Sequence, residues 1–234
     1  MGPALYLLKP YLLYVLRDAL GSRFDERTRR AILAEAYAFR RRFGREVQRE
    51  ATFGARVFLQ LSVLVVGVYR ALIGRDCSAT EARTLVAAVT SRVFSCMVRW
   101  ADRLSSFTAA ASKSKSKSKS KIEAEVEHFK RLNDVLGRRF FAPPAWRMEA
   151  IESPQHVVAF DMHRCPLAEY FASQNLSELC VAAICDLDFM LYDPKRVRFE
   201  RGGTIAGGSE RCDFRWRVLS EDEATIPPSD QPPS

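Results

Sequence analysis

The segment Arg196–Leu219, RVRFERGGTIAGGSERCDFRWRVL, decides how the C-terminal half folds. Two stretches of alternating apolar and charged residues flank two glycine pairs. Successive strand side chains point to opposite faces. Val197 and Phe199 therefore share one face, and Phe214, Trp216 and Val218 share another. A two-residue primed turn at Gly207-Gly208 would set Phe199 opposite Trp216 and Val197 opposite Val218, apolar against apolar. The same register sets Cys212 opposite Gly203, whose missing side chain leaves room for a ligand or another chain. Burial beside Phe214 and Trp216 is enough to explain Cys212. The pairs Gly202-Gly203 and Gly207-Gly208 read as turn and bulge residues rather than a phosphate cradle, because no helix follows them to supply a dipole.

Upstream, His156 to Cys165 also alternates. Val158, Phe160 and Met162 point one way, and Asp161, His163 and Cys165 point the other. Pro166 ends this strand. A helix is expected over about Leu176–Leu191, with Asn175 and Glu178 spaced as a capping box. On its wheel Leu176, Leu179, Cys180, Ala183, Leu187 and Met190 form the apolar stripe, so Cys180 reads as a small buried hydrophobe. Cys185 falls nearly opposite that stripe, beside Asp186 and Asp188. It is either exposed or aimed at a pocket, and the pocket is favoured because exposed thiols are a liability.

The first half reads as helices. Residues 3–20 are apolar, Asp25 caps an amphipathic stretch to Arg49, and Phe53–Ile73 is an apolar core helix stopped by Gly74. The longest apolar run within it, Val57 to Tyr69, is too short to span a bilayer. Ser78 and Glu81 form a capping box for a helix to about Ser106, with Leu85, Val89, Val93, Cys96 and Trp100 near its inner stripe. The run Ser112–Lys121 alternates Ser and Lys and can bury nothing, so it is expected to be a mobile surface loop. A helix over Ile122–Gly137 and the pair Pro143-Pro144 close this half. The fold class is α+β: a helical N-terminal half packed on a small antiparallel β-sheet in the C-terminal half. One domain is expected over residues 1–220, with a mobile loop at 111–121 and a disordered tail at 221–234.

Composition narrows the functional classes. The net charge of +8 suggests an anionic partner. Five lysines of that excess lie in the single run Lys113–Lys121, however, and no aromatic-basic interleaving appears, which argues against specific nucleic-acid binding. The six cysteines are scattered without a CxxC pair, and the chain is long enough to fold without disulfides. No secretory signal is visible, so a cytoplasmic protein with reduced thiols is expected.

No nucleophile-elbow, phosphate-loop, dinucleotide or HExxH signature is present. His163, on the strand face of Cys165, could hold that thiol as thiolate. Cys165, Cys185 and Cys212 come from different elements and could converge on a pocket. Such a set could carry nucleophilic chemistry, a thiolate-bound metal or an iron–sulfur cluster, or bind no cofactor and merely line the cavity.

The strings Cys165-Pro166-Leu-Ala, Glu178-Leu179-Cys180, Cys185-Asp186-x-Asp188 and Thr204-x-x-Gly207-Gly208-x-x-x-Cys212-Asp213-Phe214 resemble the L-2-amino-thiazoline-4-carboxylic acid hydrolase family. Val68-Tyr69-Arg70-Ala71-Leu72 and Ser78-x-x-Glu81-Ala82 extend the resemblance to roughly residues 25–219. It implies hydrolytic opening of a small cyclic amidine at the carbon between ring nitrogen and sulfur. Cys185 would attack directly, or a carboxylate (Asp186, Asp188 or Asp213) would activate water. Arg164 or Arg201 would hold the substrate carboxylate as a bidentate pair, with Thr204 and Gly208 beside the substrate. The alternative is a non-catalytic or redox protein that binds a small molecule or metal in the same cysteine-lined pocket.

Overall fold

A computed structural model describes residues 9–21, 23–45, 47, 50–111, 137, 140–190 and 196–219. The Ser-Lys run, the expected helix over 122–137 up to its last residue and the C-terminal tail lie outside these residues.

Four helices come first: α1 Lys9–Leu20, α2 Glu26–Phe43, α3 Phe53–Ile73 and α4 Ala79–Ala111. Their ends follow the caps written in the sequence. The Asp25 carboxylate accepts from the Thr28 N–H at 2.7 Å, and the Ser78 hydroxyl accepts from Glu81 N–H at 3.2 Å. By length and composition α3 could cross a membrane, since the helix extends well past the apolar run Val57–Tyr69. Here it forms the middle of a core, with Leu59, Val63, Val66 and Leu72 buried. Of its buried polar residues Gln60 and Ser62, Gln60 is satisfied by Arg40 and by the Gly44 carbonyl. Gly67 lets α2 and α3 approach closely, because a Cβ there would sit 2.8 Å from Ala36 Cα.

The C-terminal half forms a four-stranded antiparallel sheet of order β1-β2-β4-β3, from β1 Arg147–Ala150, β2 Val157–Arg164, β3 Val197–Glu200 and β4 Cys212–Val218. Phe199 pairs with Trp216 and Val197 with Val218, so the apolar register expected from the sequence is the one formed. Phe199 and Trp216 stack with centroids 4.9 Å apart, within a shelf that includes Phe160 and Phe214.

The connection between β3 and β4 differs from expectation. A broad loop runs from Arg201 to Arg211, because Thr204 turns the chain on itself: its carbonyl accepts from Gly207 and Ser209, and its hydroxyl from Gly207. Cys212 is consequently not opposite Gly203; it pairs with Met162 of β2. The space beside Gly203 is filled by Ser209, whose hydroxyl would lie 2.2 Å from a Cβ at Gly203.

The expected Leu176–Leu191 helix is also divided. Helix α5, Pro166–Ser173, precedes it, and α6 covers only Ser177–Ala183. Asn175 takes a left-handed conformation (φ 57°) that terminates α5 instead of capping α6. Ile184 leaves helical geometry (φ −127°, ψ −57°), and a 3-10 helix, Cys185–Met190, follows. The α1–α4 core continues into α5 and α6 through Phe171, Leu179, Cys180 and Ala183. A second core joins α3 to the sheet through Leu59, Trp146, Met162, Leu167 and Cys212.

A thiol cluster and a buried arginine form the candidate site

Four thiols lie in or against the two cores. Cys180 is 1% exposed in the first core, Cys212 is buried in the second, and half-buried Cys165 packs against both. Cys185, also half-buried, packs against the first core. A continuous helix would have carried Cys185 away from Cys180. The break at Ile184 instead turns the chain, and Cys185 packs against the same core that holds Cys180.

The environment keeps three of these thiols protonated. The neighbouring Cys185 thiol, together with burial, pushes Cys180 far above the ordinary thiol range. Burial pushes Cys165 up to about 12 against the opposing pull of the Ala168 amide, and pushes Cys212 up to about 11. Cys212 Sγ accepts the Ile205 N–H at 3.2 Å. Cys165 is the N-cap of α5 and not a strand residue. His163 bonds Glu149 at 3.1 Å, so it does not activate Cys165.

Arg201 is the buried charge of the site, with its side chain 2% exposed. Its Nη1 donates to the Cys185 carbonyl at 2.9 Å and to Asp188 Oδ2 at 2.8 Å, while Nη2 reaches Asp186 at 3.4 Å. The guanidinium also lies over Phe189 (5.1 Å), Phe199 (5.7 Å) and Phe214 (6.0 Å). Arg201 is therefore enclosed by its own chain and does not project as an anchor for a substrate carboxylate. Arg164 is similarly occupied: it pairs with Glu169 through two 2.8 Å contacts and donates to the Pro144 and Ala145 carbonyls.

Burial pushes Asp188 up to about 7, against the attraction of Arg201, and the neighbouring charge of Asp186 adds to the rise. The Asp188 side chain keeps 28% of its surface open, so protons can reach it. Asp213 has a different role. Burial would raise its carboxyl, but the N–H groups of Gly202 and Gly203 outweigh that and hold it below the usual carboxylate range. Its oxygens accept from those amides at 2.9 to 3.0 Å, which fixes the loop that begins at Arg201. Thr204 shapes the same loop, and Gly208 supplies its left-handed residue (φ 96°).

Among the described residues, no group of three or more His, Cys, Asp and Glu side chains is arranged to hold a metal ion. Cys165, Cys185 and Cys212 thus do not fit a mononuclear metal or cluster as they stand.

Sequence reasoning placed Cys180 in the core alone and overlooked the aromatic enclosure of Arg201. It also missed α5, although Pro166 followed by Leu167, Ala168 and Phe171 carries the helical signal of Pro at the first position and apolar residues three and four apart.

Fold and site together define an α+β protein whose distinctive chemistry is thiol and carboxylate. Residues 80–216 match the sequence profile of the L-2-amino-thiazoline-4-carboxylic acid hydrolase family. The chain belongs to that family. No curated protein and no solved structure matches it.

Proposed function

We propose that this protein hydrolyses a small heterocycle of the 2-amino-thiazoline-4-carboxylate type, with Cys185 as nucleophile and Asp188 as acid and base. The observation that carries the reading is the shared tie of Arg201 to the Cys185 carbonyl and to Asp188. It holds a thiol and a carboxyl that titrates near neutrality on adjoining turns of one 3-10 helix.

In the proposed course, Cys185 sulfur adds to the carbon between ring nitrogen and ring sulfur; the carbon–nitrogen double bond opens and the thiol proton passes to that nitrogen. The ring carbon–sulfur bond breaks, and protonated Asp188 gives its proton to the departing sulfur. Ionised Asp188 then takes a proton from water as the water attacks the same carbon. Collapse expels Cys185 and leaves carbamoyl-cysteine, with one water consumed. A hydrolase acting on the ring carbon–nitrogen side would use the same two groups with nitrogen as leaving atom.

Mass spectrometry of protein quenched during turnover of the thiazoline acid tests this course. A substrate-derived adduct on Cys185 supports it. Turnover with full activity in Cys185→Ser rules out covalent catalysis by this thiol.

A further inference from the structure

Helix α4 has a second patterned face. Leu85, Val89 and Val93 turn inward to the first core, whereas Ala88, Ser91, Arg92 and Ser95 recur at the i, i+3, i+4, i+7 spacing of one helix side. These four line an open cleft of about 440 Å³, inside the range of roughly 300–1,000 Å³ typical of small-ligand sites. Asp18 and Ala19 of α1 line it too. Four of these six residues are Ala or Ser, and their short side chains leave the space. The charges come one from each helix: Arg92 Nε pairs with Asp18 Oδ2, and the two side chains stay wetted, at 62% and 44% exposure. An ion pair this exposed contributes little to stability, so parting it costs the fold little. The last wall is Met190, an exposed apolar residue at the end of the 3-10 helix that carries Cys185 and Asp188.

We propose that this cleft binds a free α-amino acid with an apolar side chain, its carboxylate on Arg92, its ammonium on Asp18 and its side chain against Met190, Ala19 and Ala88. Charge selects the class. An anion alone would satisfy Arg92 and strand Asp18 beside it, and a cation alone would do the reverse. A zwitterion replaces both partners at once. In an α-amino acid the two charges sit on one carbon, which suits a carboxylate and a guanidinium already in contact. The Ser91 and Ser95 hydroxyls, one turn apart, can donate to the carboxylate or accept from the ammonium. Apolar walls at Ala19, Ala88 and Met190 favour a hydrocarbon side chain over a third charge. None of these walls is a proposed reacting group, so occupancy of the cleft does not depend on the hydrolase reading. A bound ligand would nevertheless touch the element that carries Cys185 and Asp188.

The test is calorimetric titration of the whole protein with L-leucine, beside leucinamide, which lacks the carboxylate, and N-acetyl-L-leucine, which lacks the ammonium. L-leucine should bind saturably at one site, and each analogue at least about tenfold more weakly. With L-leucine present, hydrogen exchange should slow in peptides that cover residues 18–19, 88–95 and 187–190. Asp18→Asn and Arg92→Gln should each weaken L-leucine by at least about tenfold; both side chains are exposed, so the variants should remain folded. Ala88→Phe, at an exposed position, fills the cleft while leaving both charges in place, and should abolish binding. Absence of saturable L-leucine binding at millimolar concentration would overturn the proposal. So would binding of either analogue as tight as that of L-leucine, unchanged affinity in Ala88→Phe, or protection confined to other segments. Because the readouts are binding and exchange, their failure is separate from any failure to hydrolyse the thiazoline acid.

Discussion

Arg201 Nη1 lies 2.9 Å from the carbonyl oxygen of Cys185 and 2.8 Å from Asp188 Oδ2. One enclosed guanidinium thereby sets the position of both proposed reacting groups. Arg201→Met is expected to leave the Asp188 carboxylate without its buried partner and to cost about 3 kcal/mol in urea denaturation. Arg201→Lys keeps the charge but loses the planar fork and its seat among Phe189, Phe199 and Phe214, so it should be folded but poorly active. A lysine variant with wild-type kcat and stability would show that the fork is not needed.

Asp188 makes stability depend on pH in a predictable direction. Its folded pKa, about 7, exceeds the ordinary 3.8. Below about pH 4 the group is protonated both folded and unfolded. Between there and about pH 7 only the unfolded chain releases the proton, so its contribution to stability is progressively lost as pH rises. Asp188→Asn should therefore flatten the fall in Tm across that window relative to wild type, while lowering kcat by about a hundredfold or more. The comparison of the two Tm curves isolates this group from carboxylates whose shifts run the other way, such as Asp213 and Glu35.

Cys180 and Cys185 should separate stability from chemistry. Cys180→Ala opens a small cavity in the first core and is expected to cost about 1–2 kcal/mol. Cys185→Ser leaves the core intact; its Tm should barely move, while turnover falls more than about a thousandfold, the scale of losing a covalent nucleophile. Equal loss of stability in both variants would mean that Cys185 is a packing residue.

The sheet was legible because apolar pairs fix a register regardless of how the strands connect. Phe199–Trp216 and Val197–Val218 formed even though Gly207-Gly208 is not a two-residue turn. The loop itself was not legible, because its shape depends on hydrogen bonds from Thr204 and on the grip of Asp213 on Gly202 and Gly203. The wheel drawn for Leu176–Leu191 correctly assigned Cys180 to the core, since that part is helical. It misplaced Cys185, because no Gly or Pro marks the break at Ile184. The enclosure of Arg201 joins Phe189, Phe199 and Phe214 across three elements, and no local pattern encodes such a contact.

The loop grip has its own test. A Cβ at Gly203 would collide with the Ser209 side chain, so Gly203→Ala should destabilise the protein by about 1–3 kcal/mol. Adding Ser209→Gly removes the colliding atoms and should restore most of that loss, giving a coupling energy of about 1 kcal/mol or more in a double-mutant cycle. Strict additivity would place the strain elsewhere.

The proposed chemistry of this family member is the opening of a thiazoline ring through Cys185. Its most direct measurement follows 2-amino-thiazoline-4-carboxylic acid by chromatography in the presence of purified protein and of Cys185→Ser. Stoichiometric appearance of carbamoyl-cysteine is expected with the wild type and essentially none with the variant. Folded, fully reduced wild-type protein that leaves the thiazoline acid intact would contradict the substrate, and equal product from both proteins would contradict the nucleophile.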